Sequence, residues 1–187
     1  MTDKKPRASL FIDAANYHYA LRKEGWKIDW QRFADHFRHL YELTHVFYYE
    51  GLPTWAFFQD GHPGATLQAF REAKDRKQAY FKMLRALGFT VRTKPIGRLY
   101  DATSGQVRHK CNFDVELTID ALDTLDDYDV FILASGDGDF TRLVRYLKGK
   151  FKKTVVVSHR DRTSRELAKA ANQVIHLRQL RPEVEMK

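Results

Sequence analysis

Short apolar runs rich in strand-favouring residues recur at residues 10–12, 46–49, 89–91, 130–134 and 155–157. Between them, apolar residues return every three or four positions, which predicts helices at about 29–43, 66–87, 113–125, 140–148 and 164–171. Gly88 and Gly149 fall at or near the ends of the second and fourth, where C-terminal caps favour glycine. A sixth short strand is predicted at 174–177. Strands alternating with helices indicate a three-layer α/β/α domain around a mainly parallel sheet. There is no internal repeat or low-complexity segment. We expect a single domain over residues 7–180, with 1–6 and 181–187 as flexible tails.

Two stretches depart from this rhythm. Residues 52–64 are aromatic but broken by Pro and Gly, and read as a loop. Its Trp55, Phe57 and Phe58 suit base stacking, a dimer contact or cover for the core. Residues 96–108, with turn chemistry around Thr103-Ser104-Gly105, read as a hairpin that forms a basic flap.

The strand ends carry the chemistry. The run 128–134 is followed at once by Ser135-Gly136-Asp137-Gly138-Asp139-Phe140. Two carboxylates therefore sit on a strand-to-helix turn, where ligands of open α/β sheets bind. The glycines there allow unusual backbone conformations and the close approach of a ligand. Paired aspartates suit a hard divalent cation; equally, Asp137 reads as a turn residue and Asp139 as the N-cap of the next helix. A second strand, at 8–12, ends in Asp13-Ala14-Ala15-Asn16. All strand C-termini of a parallel sheet share one edge, so Asp13 and Asp137 face one crevice if their strands are neighbours.

A third acidic position opens the helix after Lys110. Val115, Ile119 and Leu122 share one face of it, expected to be the core face, and Asp114 lies on the flank of that stripe at the helix N-terminus. Capping and a site role both fit Asp114. Asp120 falls on the polar side with Glu116 and Asp123, as a solvated charge would. His18 reads as a surface histidine or a proton shuttle.

Phe11-Ile12-Asp13-Ala14-Ala15-Asn16, Lys110-x-x-x-Asp114-Val115-x-Leu117-x-x-Asp120-Ala121-Leu122 and Ser135-Gly136-Asp137-Gly138-Asp139-Phe140 together resemble the three signature blocks of the NYN domain family. That family belongs to the PIN-like nuclease superfamily, and the likeness is to its bacterial LabA-like branch. The segments 154–158 and 163–175 are similar too, so the resemblance runs from about Arg7 to about Leu180. It implies a metal-dependent ribonuclease fold with an acidic pocket for Mg²⁺ or Mn²⁺. It carries over Asp13, Asn16, Asp114, Asp137 and Asp139 as pocket residues, with Lys110, Asp120 and Ser135 in support. The four aspartates would hold metal and Asn16 would orient a metal-bound water or a phosphate. Crowded carboxylates repel one another, so raised pKa values are expected in the empty pocket. One departure is Ala171-Asn172, where such proteins often carry Ala-Asp.

Composition narrows the choices. The 187 residues, 43% of them hydrophobic with three Trp, argue against disorder. No run is long enough to span a bilayer, and the first residues lead into too short an apolar stretch for a signal peptide. Cys111 is the single cysteine, which excludes an internal disulfide and a thiolate zinc site and suits the cytoplasm. A net charge of +8 around an acidic pocket suits a single-stranded RNA partner, with Arg142, Arg145, Lys148, Lys152 and Lys153 as candidate phosphate contacts. No Ser-His-Asp set, P-loop or aspartyl-phosphatase pair competes. The expected activity is phosphodiester hydrolysis of RNA. The alternative is a catalytically silent RNA- or protein-binding module, and a homodimer is compatible with either.

Overall fold

The computed structural model describes residues 4–21, 24–101, 103 and 105–187. In chain order its strands are β1 (Arg7–Asp13), β2 (Glu42–Leu52), β3 (Thr90–Pro95), β4 (Gly97–Asp101), β5 (Gln106–Lys110), β6 (Val130–Ala134), β7 (Lys153–Ser158) and β8 (Gln173–His176). The helices are α1 (Ala14–Leu21), α2 (Trp30–Leu40), α3 (Trp55–Gly61), α4 (Leu67–Ala86), α5 (Asp114–Asp123), α6 (Thr141–Gly149), α7 (Arg165–Ala170) and α8 (Leu177–Val184). Six strands form one parallel sheet in the order β3-β2-β1-β6-β7-β8. The chain winds outward from β1 in one direction and then from β6 in the other. The crevice above the C-terminal ends of β1 and β6 is thus the topological switch point.

Alternation along the strands builds two cores. Leu10, Ile12, Val46, Tyr48 and Ile132 point to the side covered by α1, α2, α4 and α8. Phe11, Phe47, Tyr49, Phe131 and Leu133 point to the side covered by α5, α6 and α7. This is the expected three-layer α/β/α domain. Asp29, Thr54 and Thr66 cap α2, α3 and α4 by accepting from the backbone N–H three residues on. Gly88, at φ +86°, follows the end of α4 as the cap pattern predicts.

Several expectations are corrected. Residues 52–64 are not a plain loop: α3 lies within them, and its Trp55 and Phe58 pack around Phe70 of α4. The C-terminal residues are not a frayed tail. Leu177, Leu180 and Val184 form a buried stripe on α8, Asp29 N–H donates to Val184 O, and Met186 N–H donates to Lys27 O. Of the other expected tail, residues 1–3 lie outside the described residues. The 96–108 hairpin is present as antiparallel β4–β5, with Gly105 at φ +66° in its turn; Ser104 lies outside the described residues. Asn172 sits at the N-terminal edge of the sheet, where its Oδ1 accepts from the backbone N–H and hydroxyl of Thr154. That departure from the family pattern fastens a loop and is remote from the crevice.

Candidate active site

Asp13 ends β1, and the chain turns directly into α1, so its carboxylate stands at the switch point between two elements. Ser135 follows β6, the neighbouring strand, and is fully buried. Its hydroxyl donates to Asp13 Oδ2 at 3.0 Å and accepts from Asp137 N–H at 3.2 Å. Asn16 closes the other side: its N–H donates to Asp13 Oδ1 at 3.3 Å, and its Oδ1 accepts from Gly136 N–H at 3.1 Å. Among the described residues, the Asn16 amide nitrogen is then left as the side chain's unbonded end. Asp137 Oδ1 accepts from Asp139 N–H at 3.0 Å, so Asp137, and not Asp139, caps the turn into α6.

The two glycines of this turn serve packing. Neither takes a positive φ. A Cβ on Gly136 would stand 2.3 Å from the carbonyl oxygen of Arg162, and one on Gly138 would stand 2.9 Å from Ser164 Oγ. They let the segment before α7 press against the turn, which Ser164 N–H pins by donating to Gly136 O.

Asp114 arrives from the far side of the crevice at the first turn of α5. Asn112 clamps it: the amide donates to Asp114 Oδ2 at 2.6 Å, and Asp114 N–H donates back to Asn112 Oδ1 at 2.7 Å. Asp13, Asn16, Asn112, Asp114 and Asp137 line one pocket of about 220 Å³. Burial raises the Asp13 carboxyl to about 6, against the opposing bonds from Ser135 and Asn16 and with help from the charges of Asp114 and Asp137. Burial also raises Asp114, reinforced by Asp137 and Asp139, while Lys110 pulls it down. Asp139 is exposed and turned toward a groove with Arg142 and Tyr146. Among the described residues no three acidic, His or Cys side chains stand close enough to clasp one ion.

Two helix readings are overturned. The stripe Val115, Ile119 and Leu122 faces outward, 68%, 50% and 40% exposed, while Leu117, Asp120 and Ala121 face the core. Asp120 is therefore no solvated charge. Arg92 of β3 grips both its oxygens at 2.6 and 3.0 Å, and Tyr49 donates its hydroxyl to it at 2.8 Å. The basic set also divides. Arg142 and Arg145 are exposed on α6. The C-terminal end of α6 descends to the opposite edge of the sheet, where Lys153 opens β7. There Lys148 donates to Ala170 O, and Lys152 donates to Tyr128 O. Lys148, Lys152 and Lys153 thus stand away from the crevice.

Glu50 was missed. It extends β2 one residue past Tyr49, the partner of Asp13, and is buried at the same edge. His18 contacts its Oε1 at 2.7 Å, the Lys77 ammonium binds the same oxygen, and the Tyr48 hydroxyl donates to Oε2 at 2.7 Å. A carboxylate closing an apolar run was the signal that marked Asp13 and Asp137, and the run 46–49 followed by Glu50 carries it too.

Comparison with known proteins decides the family: the sequence pattern of the NYN domain matches residues 7–178. The chain belongs to the NYN domain family. It is 32% identical over 188 residues to the Low amplitude and bright protein LabA of Synechococcus elongatus, covering 99% of this chain and 91% of that one, which supports the LabA-like branch. A crystal structure of a protein of unknown function from Vibrio parahaemolyticus shares the fold at a TM-score of 0.73 and 23% identity, covering 100% of this chain and 99% of that one. The NYN domain has a PIN-like nuclease fold, and nucleases of that class generally use divalent metals. The donor chemistry here fits such an ion. The pocket brings three carboxylates together beside the Cys111 thiol, and the half-buried Asp13 has no cation bonded to it among the described residues.

Proposed function

We propose that this NYN protein is a divalent-metal-dependent ribonuclease that hydrolyses phosphodiester bonds of single-stranded RNA. The observation that carries the reading is Asp13: a half-buried carboxylate, raised to about 6, facing Asp114 and Asp137 across one pocket. A pocket whose carboxylates repel one another is poised for Mg²⁺ or Mn²⁺. Asp13, Asp114 and Asp137 would hold the ion, with Asp139 at the rim. When bound, such an ion supplies hydroxide near neutral pH and stabilises charge on the transferring phosphoryl oxygens.

The chain's own groups have distinct tasks. Ser135 and the Asn16 N–H hold Asp13 in place, and Asn112 does the same for Asp114. The free amide nitrogen of Asn16 donates to a phosphate oxygen or a water. Lys110 on the hairpin and Arg142 on α6 flank the acidic centre and attract the strand. No helix among the described residues is long and apolar enough to cross a membrane, and the single cysteine fits a cytoplasmic setting. A homodimer, if formed, would use the outward stripe of α5 beside Tyr146.

The second reading, a silent RNA- or protein-binding module, is favoured by one observation: among the described residues no three ligands are already gathered around a point. Incubating RNA with the protein and Mn²⁺, then adding EDTA, separates the two. Cleavage that EDTA stops and that Asp137→Asn abolishes supports the ribonuclease. RNA binding without cleavage at any metal concentration would establish the silent module.

A further inference from the structure

Beside the acidic pocket lies a larger cavity of about 590 Å³, bounded by α1, α3, α4 and the β4–β5 hairpin. The two share Ala15 and Cys111 and so meet edge to edge. Gly51 leaves room at the seam, since a Cβ there would stand 2.7 Å from Ile96 Cγ1 and 3.0 Å from Cys111 Sγ. One wall is aromatic: Phe57 of α3 meets His109 of β5 edge to face, their centroids 5.0 Å apart. Asp60 fixes that wall, 3.1 Å from His109 Nε2 and 2.8 Å from Arg98 Nε. His109 Nδ1 is buried and has no hydrogen-bond partner among the described residues. Across the cavity, Lys77 neutralises Glu50 and the His18 ring contacts the same oxygen.

We infer that this cavity receives a single unstacked nucleobase of the strand whose phosphate lies in the acidic pocket, an inference that rests on the ribonuclease reading. A base and its own phosphate are one sugar apart, and these two cavities share a wall at Ala15 and Cys111. Proteins that read single strands combine an aromatic surface for the base with a few contacts to its edge. Phe57 supplies the surface, and His109, packed on it edge to face, supplies a polar ring on the same wall. The volume and the mixture of apolar and convergent polar groups are those of a ligand site. Because Glu50 is already paired with Lys77, this side of the crevice does not repel the strand as the bare aspartates do.

The test is calorimetric titration of the full chain, with Ca²⁺ present, using the four common ribonucleoside 5′-monophosphates and ribose 5-phosphate as the base-free probe. At least one nucleotide should bind about tenfold tighter than ribose 5-phosphate, the margin expected of a stacked base. Ala73→Phe, which fills the cavity from α4, should erase that margin and leave ribose 5-phosphate binding unchanged. Phe57→Leu should shrink it several-fold, and decides the matter if Ala73→Phe does not fold. No margin in the wild type, or a margin that survives substitution in folded protein, overturns the inference. The two proposals fail separately. RNA cleavage without a base-dependent margin removes the nucleobase site alone, while cavity-dependent nucleotide binding in a protein that never cleaves RNA removes the ribonuclease alone.

Discussion

Asp13 and Glu50 stand on adjacent parallel strands at the same edge of the sheet, yet they are opposites electrostatically. Asp13 is bonded by a hydroxyl and a backbone N–H, and burial pushes it up to about 6. Burial would raise Glu50 as well, but the His18 hydrogen bond and the Lys77 charge overcome it and hold Glu50 down at about 2. The difference lies in the helices above. α4 brings Lys77 over the end of β2, whereas the carboxylates of α5 and of the β6–α6 turn converge on the end of β1. A carboxylate with its own cation is a structural joint; one left among other carboxylates awaits a cation from outside.

The sharpest way to break this contrast is to neutralise each member in turn. Asp137→Asn and Asp13→Asn should each lower RNA cleavage by about a thousandfold, the several kcal/mol at stake when metal-assisted charge stabilisation is lost. Glu50→Gln should leave cleavage per folded molecule within a few-fold of wild type. Single-turnover rates check both, and equal losses at positions 50 and 137 would erase the distinction.

Stability should move the other way. Glu50→Gln leaves Lys77 facing a neutral group and should cost about 2 kcal/mol in urea melts. Asp13→Asn, measured at pH 7 in EDTA, should gain about 2 kcal/mol, because a poorly solvated ionised carboxylate is removed. The pH windows follow from the direction of each shift. Asp13 ionises near 3.8 when unfolded and about 6 when folded, so its contribution is full below 3.8 and declines as pH rises through 6. Glu50 ionises near 4.5 when unfolded and about 2 when folded, so its contribution is present above 4.5 and is lost as pH falls toward 2. Melting curves across pH should show the first decline vanish in Asp13→Asn and the second weaken in Glu50→Gln.

Millimolar Mn²⁺ should raise the melting temperature by about 5 °C in the wild type and in Glu50→Gln, through mass action on the native state. It should leave Asp13→Asn nearly unmoved. Asp120→Asn serves as a second structural control: it should cost about 2 kcal/mol by loosening the Arg92 clamp, with cleavage preserved. The smallest effect concerns the strand's path. Replacing Arg142 and Arg145 together should flatten the slope of log affinity for single-stranded RNA against log salt by about 1.4, and replacing Lys152 and Lys153 should leave it unchanged.

Much of this site was legible in the linear order. Asp13 and Asp137 each end an apolar run, so strand recognition alone put them on one edge. Asp114 was harder to place, because its helix carries apolar residues on two faces. The more hydrophobic stripe, Val115, Ile119 and Leu122, was expected inside, and it lies outside. Arg92 decides the matter: with its guanidinium waiting on β3, an acidic residue at position 120 is a favourable inward group. Local periodicity carries no information about a partner 28 residues away.

By itself, then, the sequence determined the alternation of strands and helices, the parallel sheet that follows from it, and the edge on which the carboxylates stand. These are consequences of side-chain period and strand polarity, which are local properties. Only the tertiary structure decided which of those carboxylates would be neutralised. It brought Lys77 to Glu50 and Arg92 to Asp120, gave Asp13 the Ser135 hydroxyl and a backbone N–H, and sent Lys148, Lys152 and Lys153 to the far edge. Charge compensation in a folded protein depends on distance in space across a poorly screening interior, and no spacing along the chain encodes it.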